Sequence, residues 1–362
     1  MHADDAGSGS ERDPLTYQAA GVDLAAADRL VERLKNLTAG AGRSEVLAGL
    51  GGFAGMFRLP AGLRRPVLLA AADGVGTKLQ LARRLGRPDV AGRDLVAMNV
   101  NDLLVYGGEP WFFLDYVAVG KLDESEVADL VGGMAAACRE AGCALLGGET
   151  AELPGMLRCD DLELAGFAVG GVEEDRLIDG RRVSPGDAVI GLAAAGLHSN
   201  GYSLVRSALG IKGEGWSDDE KLHRHDPVLG MTLGEALLQP TRLYVAPVLE
   251  ACRHFDIRAM AHITGGGLPD NLPRTLPGGV RARLDSSAWP EPPIFDVVRR
   301  AGRVGEDEMR RAFNLGIGFT MVAAAGAAAA LCAAIGPRVG GAWVIGEIEA
   351  AETGRSPAVI WR

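Results

Sequence analysis

The sequence predicts an α/β (α+β) protein built from two mixed domains, and three observations carry that expectation. Its 362 residues are too many for one ordinary core and suit two. Short continuous apolar runs of strand type alternate with segments whose apolar residues recur at helical spacing. Glycine accounts for 51 residues, about twice the usual share, and clusters at the ends of those runs, where tight turns and close backbone approach are needed.

The elements follow in order. Met1 to Asp13 is polar and acidic and reads as a disordered tail, so 1–14 stands apart from a first domain over 15–175. Val22 to Leu37 carries Leu24, Ala27, Leu30, Val31 and Leu34 at helical spacing, and a glycine loop, Gly49 to Phe53, comes after it. Pro66 to Ala72 is a buried-strand run that ends on Asp73. Asp94 to Tyr106 reads as a helix and Trp111 to Val119 as a strand. Asp123 caps a further helix that stops at Gly142, and strands follow at Cys143 to Leu146 and Leu162 to Val172. A second domain over 176–362 begins where the chain turns charged. Within it, Ala188 to Ala194 is a strand, Gly196 to Gly201 a loop and Tyr202 to Leu209 a helix. Gly213 to Asp226 reads as an exposed excursion, Leu233 to Cys252 as one helix, Ile257 to Thr264 as a strand and Asn314 to Ala323 as another. An alanine-rich helix comes last.

Composition narrows the function classes. The net charge is −10 and no basic block is present, which argues against nucleic-acid binding. Five cysteines without a Cys-x-x-Cys pair point to a reducing cytoplasm. Ile317 to Ile335 is nearly all apolar but alanine-dominated, so a strand and a buried helix are expected rather than a membrane span.

Three acidic positions could carry chemistry. Asp73-Gly74-Val75-Gly76-Thr77-Lys78 follows a strand directly. The Asp could hold a cation, Gly74 and Gly76 would admit a phosphate, Thr77 offers a hydroxyl and Lys78 a positive charge. The spacing is not that of a Walker loop, and on this hexamer alone helix capping and phosphate binding stay equally open. Asp102 lies in an apolar helical stretch, where an unpaired carboxylate is costly. Glu149 sits in the glycine-rich turn Gly147 to Glu152. Asp73, Asp102 and Glu149 together suggest an oxygen-ligand Mg²⁺ site completed by ATP phosphates. In the Gly196 to Gly201 loop, His198 could act in proton transfer or bind substrate, although a lone loop histidine is usually just exposed; Ser199 and Asn200 could cap the next helix. His262, before Gly265-Gly266-Gly267, invites the same two readings.

At this point the ordered motifs resemble those of the phosphoribosylformylglycinamidine cyclo-ligase family. They run from Tyr17-Gln18-Ala19-Ala20-Gly21-Val22-Asp23 through Gly51-Gly52-Phe53, Asp73 to Lys78, Asn101-Asp102, Phe112 to Tyr116, Gly147 to Met156, His198 to Arg206 and Gly265 to Gly267, to Phe313-Asn314. The resemblance implies ATP-dependent ring closure of formylglycinamidine ribonucleotide in purine biosynthesis. It also implies ATP and Mg²⁺ as cofactors with K⁺ an optional third, and a cytoplasmic homodimer formed through strands of the first domain. It assigns Asp73, Asp102 and Glu149 to metal and phosphate. Lys35, Gly51, Gly52, Gly74, Gly76 and Thr77 go to the nucleotide, and the catalytic residues are Lys78, for charge neutralisation, with His198 and Asn200 on the substrate-side loop. Rival readings are a relative such as thiamine-monophosphate kinase, selenophosphate synthetase or the hydrogenase maturation member, or a non-catalytic nucleotide-binding homologue. A reactive cysteine near the N-terminus, which selenophosphate synthetase needs, is missing, since the first is Cys138. A dinucleotide-binding dehydrogenase lacks its Gly-x-Gly-x-x-Gly where it belongs.

Overall fold

The computed structural model describes residues 24–38, 42–211, 216–352, 354 and 356–362. The expected tail and Tyr17 to Asp23 lie outside the described residues. The first half contains α1 (Leu24–Thr38), β1 (Val46–Ala48), β2 (Met56–Phe57), β3 (Pro66–Asp73), α2 (Lys78–Arg84), α3 (Pro88–Leu104), β4 (Glu109–Val119), α4 (Glu124–Ala141), β5 (Ala144–Glu152) and β6 (Leu162–Glu173). The second continues with β7 (Asp187–Ala193), α5 (Tyr202–Leu209), α6 (Trp216–His223), β8 (His225–Asp226), β9 (Met231–Thr232), α7 (Leu233–Leu237), α8 (Val245–His254), β10 (Ile257–His262) and α9 (Gly267–Asn271). It ends with β11 (Val280–Leu284), α10 (Pro293–Gly302), α11 (Glu306–Ala312), β12 (Ile317–Ala324), α12 (Ala325–Val339), β13 (Ala342–Ala350) and β14 (Val359–Trp361).

Two sheets organise these elements. The first has strand order β3-β6-β4-β5, the second β10-β12-β7-β13-β11-β14. Helices α3 and α4 cover one face of the first sheet, and Phe113 and Val117 of β4 are fully buried beneath them. Strand alternation sends Leu68, Tyr116 and Phe167 to the other face, where they stay 64%, 38% and 42% exposed. That sheet therefore has one packed face and one open apolar face. A single hydrophobic cluster runs from α2, α3 and α4 into α5, α7 and α10, so the two halves share a core.

Local chemistry explains the boundaries. Asp123 accepts from the N–H groups of Ser125 and Glu126, and Gly142 ends α4 in the left-handed conformation. Helix α3 starts six residues before the expected Asp94, because Pro88 occupies its first turn, where a missing N–H costs nothing. Three expectations need correction. Gly147 to Glu152, expected as a turn after a strand, is the second half of strand β5 itself, paired along its length with β4. Leu233 to Cys252 is two helices broken at Gln239-Pro240, since proline lacks the N–H that a continuous helix requires. The segment read as an exposed excursion contains α6, with Asp218 and Leu222 buried. Ile317 to Ile335 is β12 followed by α12, as expected, and no helix among the described residues is long and apolar enough to cross a membrane.

Candidate functional site

Strand β3 and strand β10 are edge strands of their respective sheets. Between them opens a cleft of about 240 Å³, lined by Leu69 to Ala72, the C-terminal part of α3, His262, Thr264 and the turn after α9. Asp73 ends β3 one residue past Ala72, the last β3 residue to line this cleft, and binds its own turn, its Oδ1 accepting from the Gly74 N–H at 2.8 Å. Burial raises its pKa, as does the nearby charge of Asp102; the Gly74 N–H and His262 oppose them. A cation beside Asp73 would relieve the charge it shares with Asp102. Asp102 also reaches across the halves, its Oδ1 2.9 Å from His262 Nδ1. His262 Nε2 is buried without a hydrogen-bond partner.

The structure does not bring Glu149 to this pair. Asp73 lies opposite Gly166, Gly166 opposite Asp115, and Asp115 opposite Gly148, so β5 is three strands from β3, roughly 14 Å at ordinary strand spacing. Glu149, opposite Tyr116, shares the open face instead. The expected three-carboxylate metal cluster is therefore not assembled within one chain, and among the described residues no group of three metal-ligating side chains is found. Glu149 lines a second cavity of about 680 Å³, with the glycine loop Gly49 to Gly55, Phe112, Tyr116 and Phe167. Gly51 has φ +98, which favours glycine, and a Cβ there would meet Lys35 Cε at 3.0 Å. Lys35, Gly51, Gly52 and Glu149 thus belong to one neighbourhood. Gly148 is needed there because a side chain would collide with the Asp115 carboxylate. Burial pushes the Asp115 carboxyl up to about 7; its own backbone N–H opposes this and the Glu149 charge adds to it.

Lys78 is corrected in a different way. Its side chain is fully buried, with Nζ 2.5 Å from Asp94 Oδ2 and donating to the Gln239 carbonyl at 2.8 Å. Burial drives its pKa down and the Asp94 carboxylate opposes that shift. Its ammonium is committed to the protein interior rather than presented to a phosphate. Asp94 Oδ1 accepts from Thr241 N at 2.5 Å. One turn of α3 before Leu104, Asn101 accepts from Tyr244 N and donates to the Arg242 carbonyl. Lys78, Asp94 and Asn101 thereby grip the backbone of 239–244, the stretch that Pro240 keeps out of helix. Thr77 opens α2 without capping it, its Oγ1 3.4 Å from Ser203 Oγ, and Gly76 takes φ +55.

His198 is not an exposed loop histidine. It is fully buried at φ +59, and its Nε2 accepts from Ala195 N at 3.2 Å. Burial holds its pKa well below the histidine range, helped by His262, Lys78 and Arg242, so the ring is neutral. Asn200 does not cap α5. It accepts from Gly265 N at 2.9 Å and ties its loop to the three-glycine loop.

Asn101 and Asp115 fall inside sequence motifs that assign them no role, and Asp94, Asn271 and Arg274 carry no local signal of one. The cost of a carboxylate in an apolar helix falls on Asp94, which is wholly buried, more than on Asp102, whose side chain is 47% exposed.

This architecture is that of the AIR synthase related proteins. The family model of their N-terminal domain matches residues 54–172 and that of their C-terminal domain residues 184–357. Within that class, the chain belongs to the phosphoribosylformylglycinamidine cyclo-ligase family. It is 53% identical over 337 residues to the enzyme of that name from Anaeromyxobacter sp. (strain Fw109-5), covering 92% of this chain and 96% of the relative. It is 52% identical to the one from Sorangium cellulosum (strain So ce56), covering 92% and 95%. The fold is also that of thiamine-monophosphate kinase from Stenotrophomonas maltophilia K279a, with TM-score 0.64 at 20% identity over 91% of this chain and 95% of that one. The hydrogenase maturation protein HypE in complex with ATP gives TM-score 0.60 at 20% identity over 92% and 91%.

Proposed function

We infer that the protein is an ATP-dependent ligase that closes the imidazole ring of formylglycinamidine ribonucleotide, giving aminoimidazole ribonucleotide, ADP and phosphate, in purine biosynthesis. Membership of the cyclo-ligase family over nearly the whole chain carries this reading. The chemistry needs an activated oxygen, because the formyl oxygen of an amide is a poor leaving group. When that oxygen takes the γ-phosphoryl group of ATP, the neighbouring nitrogen attacks the formyl carbon, the ring closes, and the oxygen departs as inorganic phosphate. The protein's share is positioning and charge neutralisation.

Two cavities suit two reactants. The larger, with Gly51, Gly52 and Glu149 and with Lys35 beside Gly51, has the size and glycine-lined wall for ATP. The smaller interdomain cleft, with Asp102 and His262, suits the ribonucleotide and a cation. Asp102 and the adjacent Asp73, whose carboxyl feels the Asp102 charge, would hold Mg²⁺, and when bound the ion would neutralise charge on the transferred phosphoryl group. Gly74, Gly76 and Thr77 form the turn beside that pair. His198 and Asn200 act through position: Asn200 sets the glycine loop, and His198 accepts from Ala195 N and so holds the loop that carries Asn200. Lys78 holds the second half against α3.

The open face bearing Leu68, Tyr116 and Phe167 suits a second copy of the chain, making a homodimer through the first sheet; Tyr116 and Phe167 also line the larger cavity, so ATP would lie at the seam between the two copies. Free cysteines and the acidic charge suit the cytoplasm. The function is tested by incubating the purified protein with ATP, Mg²⁺ and formylglycinamidine ribonucleotide and assaying a diazotisable aminoimidazole. Wild type is expected to form it and Asp102→Asn to lose turnover while staying folded; a folded wild type that makes none overturns the reading.

A further inference from the structure

The smaller cleft holds a cation whose purpose nothing above uses. Arg274 lies in the 3₁₀ turn Leu272–Thr275 that follows α9, and it lines the same cavity as Asp102. No carboxylate lies within ion-pair distance of it among the described residues. Among the described residues its hydrogen bond is to a neutral group, Nη1 donating to Asn271 Oδ1 at 3.3 Å. Asp102, for its part, is engaged with His262. A guanidinium and a carboxylate thus share one cleft without neutralising each other.

The turn is built to hold Arg274 still at its base. Leu272 and Leu276 on either side are buried in the core of the second half. Thr275 Oγ1 bonds back to the Leu272 carbonyl at 3.1 Å. Asn271 Nδ2 donates to the carbonyls of Thr264, Gly265 and Gly267, which fixes its amide so that Oδ1 faces the guanidinium. Meanwhile the N–H groups of the three-glycine loop are already used. Gly265 N bonds Asn200, Gly266 N the Arg311 carbonyl and Gly267 N the Thr264 carbonyl. That loop has no free donor with which to read an anion, which leaves Arg274 to do it.

We propose that Arg274 is the specificity-determining residue that binds the phosphate of the ribonucleotide substrate. The inference rests on the ring-closing function proposed above. A planar guanidinium presents paired N–H donors that match two phosphate oxygens, and a base already oriented by Asn271 gives up less freedom on binding. At about 240 Å³ the cleft is small for a whole nucleoside triphosphate, so it suits the smaller reactant, the ribonucleotide. With phosphate at Arg274, the formylglycinamidine end extends within the same cleft toward Asp102 and His262.

Steady-state kinetics of full-length wild type, Arg274→Gln and Arg274→Lys test this, each with the ribonucleotide and with its 5′-dephosphorylated riboside. Arg274→Gln is expected to raise KM for the ribonucleotide about 10- to 100-fold, as loss of hydrogen bonds to a charged group does. Arg274→Lys recovers part of it, and KM for ATP does not move. With the riboside, wild type and Arg274→Gln perform alike, because the group that Arg274 reads is gone. An unchanged KM for the ribonucleotide, or an equal loss with the riboside, overturns the proposal. Ribose 5-phosphate binding, followed by NMR titration, separates this failure from failure of the functional reading. Even if the wild type turns over no ribonucleotide, it is expected to bind ribose 5-phosphate and Arg274→Gln is not; equal binding by both overturns the assignment.

Discussion

The buried pair Lys78–Asp94 makes a quantitative prediction. Both side chains are fully buried, 2.5 Å apart, and each also holds a backbone group of the 239–244 stretch. Asp94→Ala leaves a buried ammonium without its counter-charge and strands the Thr241 N–H. Breaking a buried pair in this way costs about 3–5 kcal/mol. Lys78→Met strands the Asp94 carboxylate and is expected to cost a similar amount. The two losses share one cause, so the double variant Lys78→Met/Asp94→Ala is expected to fall within about 1 kcal/mol of the worse single variant, well short of their sum. Asp94→Asn keeps an acceptor for Thr241 and removes only the charge, which separates the hydrogen bond from the ion pair. Urea unfolding followed by tryptophan fluorescence and circular dichroism measures all four. Additive single losses would refute Lys78 and Asp94 as one coupled unit.

Two further expectations are independent of it. Asp115 has its folded pKa raised to about 7, above the unfolded value. The folded state then binds the extra proton between the two values, so this group's effect is to lower stability as pH rises from about 4 through 7. At about 1.4 kcal/mol per unit the loss reaches a few kcal/mol, and Asp115→Asn removes it. Urea midpoints of variant relative to wild type are expected to climb from pH 5 to 8, and a flat difference would show Asp115 to be solvated. Leu68→Glu with Phe167→Glu places two charges on the open face of the first sheet. Sedimentation is expected to show wild-type dimer and variant monomer, and a monomeric wild type at micromolar concentration would remove the second copy from that face.

Much of this was legible in the sequence because it rests on local chemistry. The strand into Asp73, the Asp123 cap, the Gly142 stop and the α5 boundaries are set by residues within a turn of one another. The ordered glycine and acid motifs sufficed to place the chain in its family. What the sequence could not show is which distant residues meet. Glu149 looked like a third ligand because it too follows a strand, but strand order and alternation put it on the other face, three strands away. Lys78 looked like a phosphate ligand because lysine often is one, whereas its partner Asp94 lies sixteen positions on and the Gln239 carbonyl lies in the other half. The break at Pro240 could have been read from the proline alone. Arg274 gave no local signal at all; its meaning comes from sharing a cleft with α3.

The central claim is that the formyl oxygen is carried off as phosphate. It is tested most directly with ribonucleotide bearing ¹⁸O in the formyl group, turned over with unlabelled ATP and Mg²⁺ in unlabelled water. Mass spectrometry of the inorganic phosphate is predicted to find one ¹⁸O per phosphate, matching the aminoimidazole formed. Unlabelled phosphate, with ring closure still dependent on ATP, would contradict the account.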